Sequence, residues 1–393
     1  MAISVGVGVS NVKNSYQAAN EAAQKALKEM KGEHPDFVLV FSTDRFDQKK
    51  MIEGIRAITG EAPLVGCCGA GLISKDGLST DSIAVLALKS DVLQVKTAMV
   101  NNISQNPRLA GEEVAKKIMD KEPVSGYKYP PTLLMLPDGL TCNVCELVRG
   151  VYEKLGPPYQ LVGGGAGDNV KFIKTHQFID SEVYNDAISV ALITSEVPIG
   201  IGVGHGWSPV GRPLVVTKSE GKIIREIEGR PAFEAYLDYF GDVTPKLNAE
   251  NFPEFGMRHP LGLPDVTGGY TIRDPLKVEK DGSIICVAEV PENSAVRIMK
   301  GDNESVIRAA KESAQKAVNS LGKRKPAIAI VFDCVSRLLL LGKDAQRELD
   351  TIRSVIGRDV PLIGFFTFGE IASANGGPPV FHNKTVVVCV IAS

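Results

Sequence analysis

The sequence has no surplus of charge of either sign: 44 Lys+Arg stand against 46 Asp+Glu, a formal net charge of −2. A nucleic-acid binder normally carries a basic excess, so the near-balance argues against that class. Long apolar runs are missing as well. Leu338–Leu341 and Val386–Ala392 are strand-sized, far short of the ~20 residues of a membrane span. The opening Met-Ala-Ile-Ser-Val-Gly-Val-Gly has no basic segment, so no secretory leader is expected. Aromatics are sparse at 6%, with a single Trp. Cysteines number seven, odd and scattered, which points to free thiols in a reducing cytoplasm. Enzyme signatures are lacking too. There is no Gly-x-Ser-x-Gly, no His-Glu-x-x-His and no Gly-x-x-x-x-Gly-Lys-Ser/Thr, which weakens the case for a hydrolase, zinc protease or nucleotide-binding enzyme.

Glycine is what the chain has in excess, 39 in 393 residues against the usual ~7%. Three of them close the same pattern. In the first stretch a buried-strand run, Phe37–Ser42, precedes a helical segment, Gln48–Thr59, then Leu64-Val65-Gly66, then a strand over Asp81–Lys89. In the second the strand is Thr132–Leu136, the helix Leu140–Leu155, the turn Leu161-Val162-Gly163 and the last strand Ala187–Thr194. In the third they are Ala327–Phe332, Ala345–Ile356, Leu362-Ile363-Gly364 and Thr385–Ile391. Continuous apolar strands alternating with helices predict an α/β fold of duplicated strand–helix–strand modules with mixed, largely parallel sheets. Residues 215–322 break the pattern. They read as strands and a helix, Pro231–Phe240, around a loop over Asn251–Gly269, before a long amphipathic helix, Glu304–Leu321. The boundary falls near Lys218–Gly221.

Six strings occur in order: Gly163-Gly164-Gly165-Ala166-Gly167-Asp168, His205-Gly206-Trp207-Ser208-Pro209, Gly229-Arg230-Pro231-Ala232, Phe332-Asp333-Cys334-Val335-Ser336-Arg337, Gly369-Glu370-Ile371 and Phe381-His382-Asn383-Lys384-Thr385. Together they resemble the FIST family, an amino-terminal FIST domain (1–218) followed by its carboxy-terminal partner (219–393). The resemblance implies a cytoplasmic sensory module of signal transduction. It binds a small ligand, with amino acids favoured, in a cleft between the domains. The signal would pass in trans to a histidine kinase or another signalling protein. An alternative within the family is a haem-binding nitric-oxide sensor. One departure is Pro291-Glu292-Asn293 where Pro-Glu-Gly is expected; Asn tolerates the left-handed turn.

The candidate ligand-binding residues are Gly164, Gly165, Asp168, His205, Trp207, Arg337 and Glu370. Gly164 and Gly165 lack the phosphate-loop spacing, but their amides could cradle a carboxylate, and Asp168 could meet an ammonium or cap the turn. Gly200 to Trp207 alternates strictly. In a strand it would place Ile201, Val203, His205 and Trp207 on one face and leave a bare glycine face for a packed element or a flat ligand. His205 is the axial candidate if haem binds; otherwise no cofactor is expected. Arg337 and Glu370 lie at strand ends, where open α/β sheets hold ligands. They would grip a carboxylate and an amine, or pair with each other. Cys142-Asn143-Val144-Cys145 opens a helix, where a lowered thiol pKa is expected, with buried packing as the plainer reading. A hydrolase or transferase is the third reading, with Asp168 and Glu370 as its acid and base.

Overall fold

The computed structural model describes residues 3–121, 128–240, 247–265, 268–373 and 377–393. Its core is one module built three times. Each begins with a strand and helix: Ile3–Ser10 and Ser15–Glu29, Leu93–Asn101 and Pro107–Met119, Ile199–Gly204 and Asn303–Asn319. A buried strand and a second helix follow: Phe37–Ser42 and Gln48–Thr59, Thr132–Pro137 and Val144–Leu155, Pro326–Cys334 and Ala345–Ile356. A parallel neighbour comes next, Leu64–Cys68, Gln160–Gly164 and Leu362–Thr367, and a last antiparallel strand, Ile83–Ser90, Ala187–Ser195 and Val386–Ala392. The duplication read from the sequence is present, with an additional leading strand and helix in each copy.

The ladders show how closely the copies agree. Val38 faces Ala87, Leu133 faces Leu192 and Ala329 faces Val390, each pair four residues from the next shared register point, Ser42–Ile83, Pro137–Ile188 and Asp333–Val386. Between parallel strand and last strand each module throws out a short hairpin that joins another module's sheet. The hairpin from Leu72–Ser74 pairs with Leu362–Thr367, that from Gln177–Ile179 with Leu64–Cys68, and that from Glu370–Ser373 with Gln160–Gly164. The modules therefore form three separate sheets, each completed by its neighbour.

The three turn glycines sit at matching points of this exchange. Gly66 faces Phe178, Gly163 faces Ile371 and Gly364 faces Ile73. A Cβ there would come within 2.1, 1.9 and 2.1 Å of the carbonyl oxygens of Val40, Met135 and Val331. Only glycine lets the parallel strand lie that close to its neighbour. The bare glycine face has the plainer explanation of the two: Gly200 and Gly202 lie under helix Asn303–Asn319, where a Cβ would come within 2.0 and 1.9 Å of the Ala317 and Ser313 carbonyls.

The third module is split by an insert from Ser208 to Lys300, a largely antiparallel sheet with two helices, Ala232–Phe240 and Phe252–Arg258. A cut at 218/219 falls within its first strand, Ser208–Glu220. The loop expected over Asn251–Gly269 contains that second helix and the strand Leu261–Pro264; seven residues and four are too short for periodicity to register. Asn293 takes φ 60°, the left-handed turn expected of it.

Candidate functional site

A cleft of about 1030 Å³ opens where the insert faces the second and third modules. The loop Gly139–Cys145, Val170 and Phe172 line it from the second module, and insert residues such as Lys222 and Leu276 line it as well. The third module adds Cys334 at the end of its central strand, Ser336 in the helix after it and Asn383 before its last strand. Phe172, Leu276 and Leu339, at 57%, 42% and 50% exposure, are large apolar side chains turned to water on its lining. Phe172 stacks on Phe368, ring centroids 5.0 Å apart.

The polar end of the cleft is built from three parts of the chain. Asp274, from the insert, is buried and accepts a hydrogen bond from Ser336 Oγ at 2.6 Å. Its Oδ2 also lies 3.0 Å from Lys384 Nζ. Lys384 is itself buried, with Nζ 5.5 Å from the Trp207 ring centre. Asn383 is buried and donates Nδ2 to the His382 carbonyl at 2.9 Å, while its Oδ1 has no protein partner. Beneath them Glu370 accepts from Thr385 N at 3.0 Å, from Thr385 Oγ1 at 2.7 Å and from Thr367 Oγ1. Burial outweighs these hydrogen bonds and raises the Glu370 carboxyl to about 7.

Arg337 has a different office from the one expected of it. It is fully buried in the helix Val335–Leu341 and ion-pairs with Asp333, Nε to Oδ1 3.0 Å, and with Glu348. It also donates to the carbonyls of His205 at 2.6 Å, Val306 at 3.1 Å and Lys384 at 3.3 Å. Its donors are engaged by the protein, and its acids are Asp333 and Glu348 rather than Glu370. With two acids around one cation, burial and Glu348 hold the Asp333 carboxyl far above its ordinary range.

Gly164 and Gly165 lie where the swapped strand Glu370–Ser373 joins the second module. Gly165 N donates to the Gly369 carbonyl at 2.8 Å, and a Cβ on Gly164 would meet Thr367 at 2.5 Å. The amide cradle is thus occupied by the third module. Asp168 accepts from Phe172 N, Ile173 N and Lys174 N at 2.9, 2.6 and 3.0 Å, so it caps its own loop, the plainer of the two roles it was given.

His205 and Trp207 do not share a strand face, because the strand ends at Gly204. Gly206, at φ 95°, turns the chain there, and His205 Nδ1 accepts from Trp207 N at 3.0 Å. Burial and the nearby Arg337 push the His205 imidazole down to about 4. Among the described residues no histidine lines the cleft. His205, the axial candidate, does not line the cleft, so a porphyrin seated there would not meet that residue.

Cys142 lines the cleft; Asn143 caps the helix, accepting from Cys145 N, while Asp138 accepts from Leu140 N and Thr141 N. Burial raises the Cys142 thiol to about 12, against the lowering expected at a helix start. No group of three or more His, Cys, Asp or Glu suited to a metal occurs among the described residues. Of the seven residues singled out from sequence, Glu370, Trp207 and Arg337 adjoin the cluster that closes the cleft, Arg337 through the Lys384 carbonyl alone. Asp274, Ser336, Asn383 and Lys384 were missed as site residues; three of them stood inside recognised strings, Ser336 before Arg337 and Asn383-Lys384 before Thr385.

The family comparisons agree with this architecture. The FIST N domain matches residues 36–230 and the FIST C domain residues 232–373. An uncharacterized protein of Methanocaldococcus jannaschii is 25% identical over 71% of this chain and 57% of its own length; the chain thus spans little more than half of that relative. An uncharacterized protein of Mycobacterium tuberculosis is 24% identical over 96% of both chains. Among solved structures a cyanuric acid hydrolase aligns over the whole of both chains at 9% identity and a TM-score of 0.38, a likeness too low to carry an argument.

Proposed function

Because the chain belongs to the FIST family, whose domains are signal-transduction sensory domains, we propose that it senses a small metabolite, an amino acid or a similar compound, bound in the cleft between its two halves. The observation that carries this reading is the cleft itself. Its volume is that of a small-molecule site, and it joins apolar walls to a few convergent polar groups at one end. Both halves line it, so occupancy would bias how the insert sits against the modules, and a partner such as a histidine kinase would read that change in trans. Seven unpaired cysteines, most of them buried, support a reducing cytoplasm as the setting. No helix among the described residues is long and apolar enough to cross a membrane.

The test is a thermal-shift screen of metabolites that includes the amino acids. A ligand at 100 times its dissociation constant stabilises by about 2.7 kcal/mol, and each kcal/mol raises the midpoint of a 150–250-residue domain by roughly 2–4 °C. Val287→Trp, at a half-buried cleft wall position, should abolish the shift. A ligand whose shift survives that substitution binds elsewhere and overturns the reading.

A further inference from the structure

The charges on the cleft are matched by the protein before any ligand arrives. Asp274 is 3.0 Å from Lys384, Glu220 is 2.8 Å from Arg225, and Glu289 pairs with Arg149. Among the described residues Lys222 is the lining cation without an ion-pair partner, and it is exposed, where water and salt screen it. An ionic head group driven to the buried end would therefore lose its hydration without finding an opposite charge to replace it. Among the described residues that line the cleft, one buried side-chain polar atom lacks a hydrogen-bond partner. The Asn383 amide is oriented by its own contact: the His382 carbonyl can only accept, so Nδ2 must face it. Oδ1 is left as a buried acceptor without a protein donor, on a residue that is 1% exposed and lines the cleft. Such an acceptor is costly unless a donor reaches it.

We infer that the buried end of the cleft holds an uncharged hydrogen-bond donor, an amide-like N–H head on a ligand whose apolar body lies along the cleft walls, and that Asn383 Oδ1 receives it. This rests on the cleft being the ligand site. It narrows that reading to metabolites that present a neutral group to the buried end, with any charged group they carry left at the solvated part of the cleft. Asp274 and Ser336, already bonded to each other, flank the position and shape it, and the Phe368 and Phe381 side chains offer the body an aromatic surface.

Three probes with one body separate the head groups: 3-phenylpropanamide, 3-phenylpropanoate and 3-phenylpropylammonium, each titrated calorimetrically into the full chain. The amide should bind at least about tenfold more tightly than either ion, the discrimination that one well-made buried hydrogen bond supplies. Asn383→Leu, close in volume and without the acceptor, should erase that preference while leaving residual binding of the body. Asn383→Ala serves as the second variant if the leucine protein does not fold. Equal or tighter binding of either ion overturns the inference, as does an amide preference that persists in both variants. Failure of the cleft reading looks different: none of the three probes binds, or Val287→Trp leaves their binding intact, and this inference then falls with it.

Discussion

The first and third modules share strand order and register, yet the ends of their central strands are furnished in opposite ways. In the first module Ser42 Oγ donates to Gln48 Oε1 at 2.9 Å, Gln48 Nε2 donates to the Phe46 carbonyl at 3.0 Å, and Thr43 Oγ1 to the Ser82 carbonyl at 3.3 Å. Every member is neutral. In the third module the corresponding end holds Asp333, Arg337, Glu348, Glu370 and Lys384, all buried. Burying charge is expensive unless each group is paired, and nothing in the shared scaffold demands it. What differs is the insert, Ser208 to Lys300, which interrupts the third module only and brings Asp274 over that end. Repetition supplied the frame; the interruption created the place where chemistry collects.

The contrast breaks or holds first at Arg337. Arg337→Ala leaves Asp333 and Glu348 buried beside each other without their cation, and removing one partner of a buried pair costs about 3–5 kcal/mol. The ligand-free protein should show a marked fall in denaturant midpoint. Gln48→Ala in the first module removes only neutral hydrogen bonds, each worth about 0.5–1.5 kcal/mol net, and strands no charge, so it should fall less. Equal losses at the two sites would mean that the charged end is no more than a decorated copy of the neutral one.

Much of this frame was legible in the sequence because it rests on short-range signals. Continuous apolar runs marked the central strands, and Leu-(Val/Ile)-Gly marked the tight parallel approach, since glycine there answers to a carbonyl about 2 Å from any Cβ. The exchanged hairpins were not legible. Leu72–Ser74 and Gln177–Ile179 have three residues each, too few for alternation to show. Nor was the site. Ser336 and Asp274 are 62 residues apart, and only the fold of the insert unites them. Arg337 misled for a related reason: a cation after a strand reads as a ligand group, and the acid that engages it from the next helix, Glu348, carries no local mark.

Glu370 offers the next largest effect. Its carboxyl is raised from an ordinary 4.5 to about 7 by burial, so between those values the folded protein holds a proton that the unfolded chain has released. The group's contribution is fully present below about pH 4.5 and is lost as pH rises through about 7, a swing of about 3 kcal/mol at 1.36 kcal/mol per unit. Glu370→Gln cannot titrate. Denaturant melts across pH 4.5–7 should therefore converge or diverge between the two proteins by that amount, with wild type losing ground to the variant as pH rises. Parallel profiles would place the Glu370 titration outside this window.

Smaller, and a test of the repeat itself, are Gly66→Ala, Gly163→Ala and Gly364→Ala. Each added methyl must displace a neighbouring strand carbonyl, and overpacking of this kind costs about 1–3 kcal/mol. Gly66→Ala and Gly364→Ala should lose alike because their registers are alike, and Gly163→Ala more, because its φ of 155° adds backbone strain to the clash. One tolerant glycine would show that its module has slack the others lack.

The smallest effect belongs to His205. What Arg337 takes from this residue is its main-chain carbonyl, at 2.6 Å, and that survives any side-chain change. The imidazole itself accepts one hydrogen bond, from Trp207 N at 3.0 Å, and burial keeps it neutral at physiological pH, with its pKa down at about 4. His205→Ala should therefore cost about 1 kcal/mol, the net worth of one such bond, and leave the probe affinities at the cleft unchanged. The first-module end has no histidine in its hydrogen-bonded cluster, so a small loss here would keep the comparison where it stands, on Arg337, Glu370 and Asp274. Should His205→Ala instead remove ligand binding while the fold holds, the working end of the third module reaches back along the chain to the turn before the insert, and the site must be redrawn around Trp207 and Lys384.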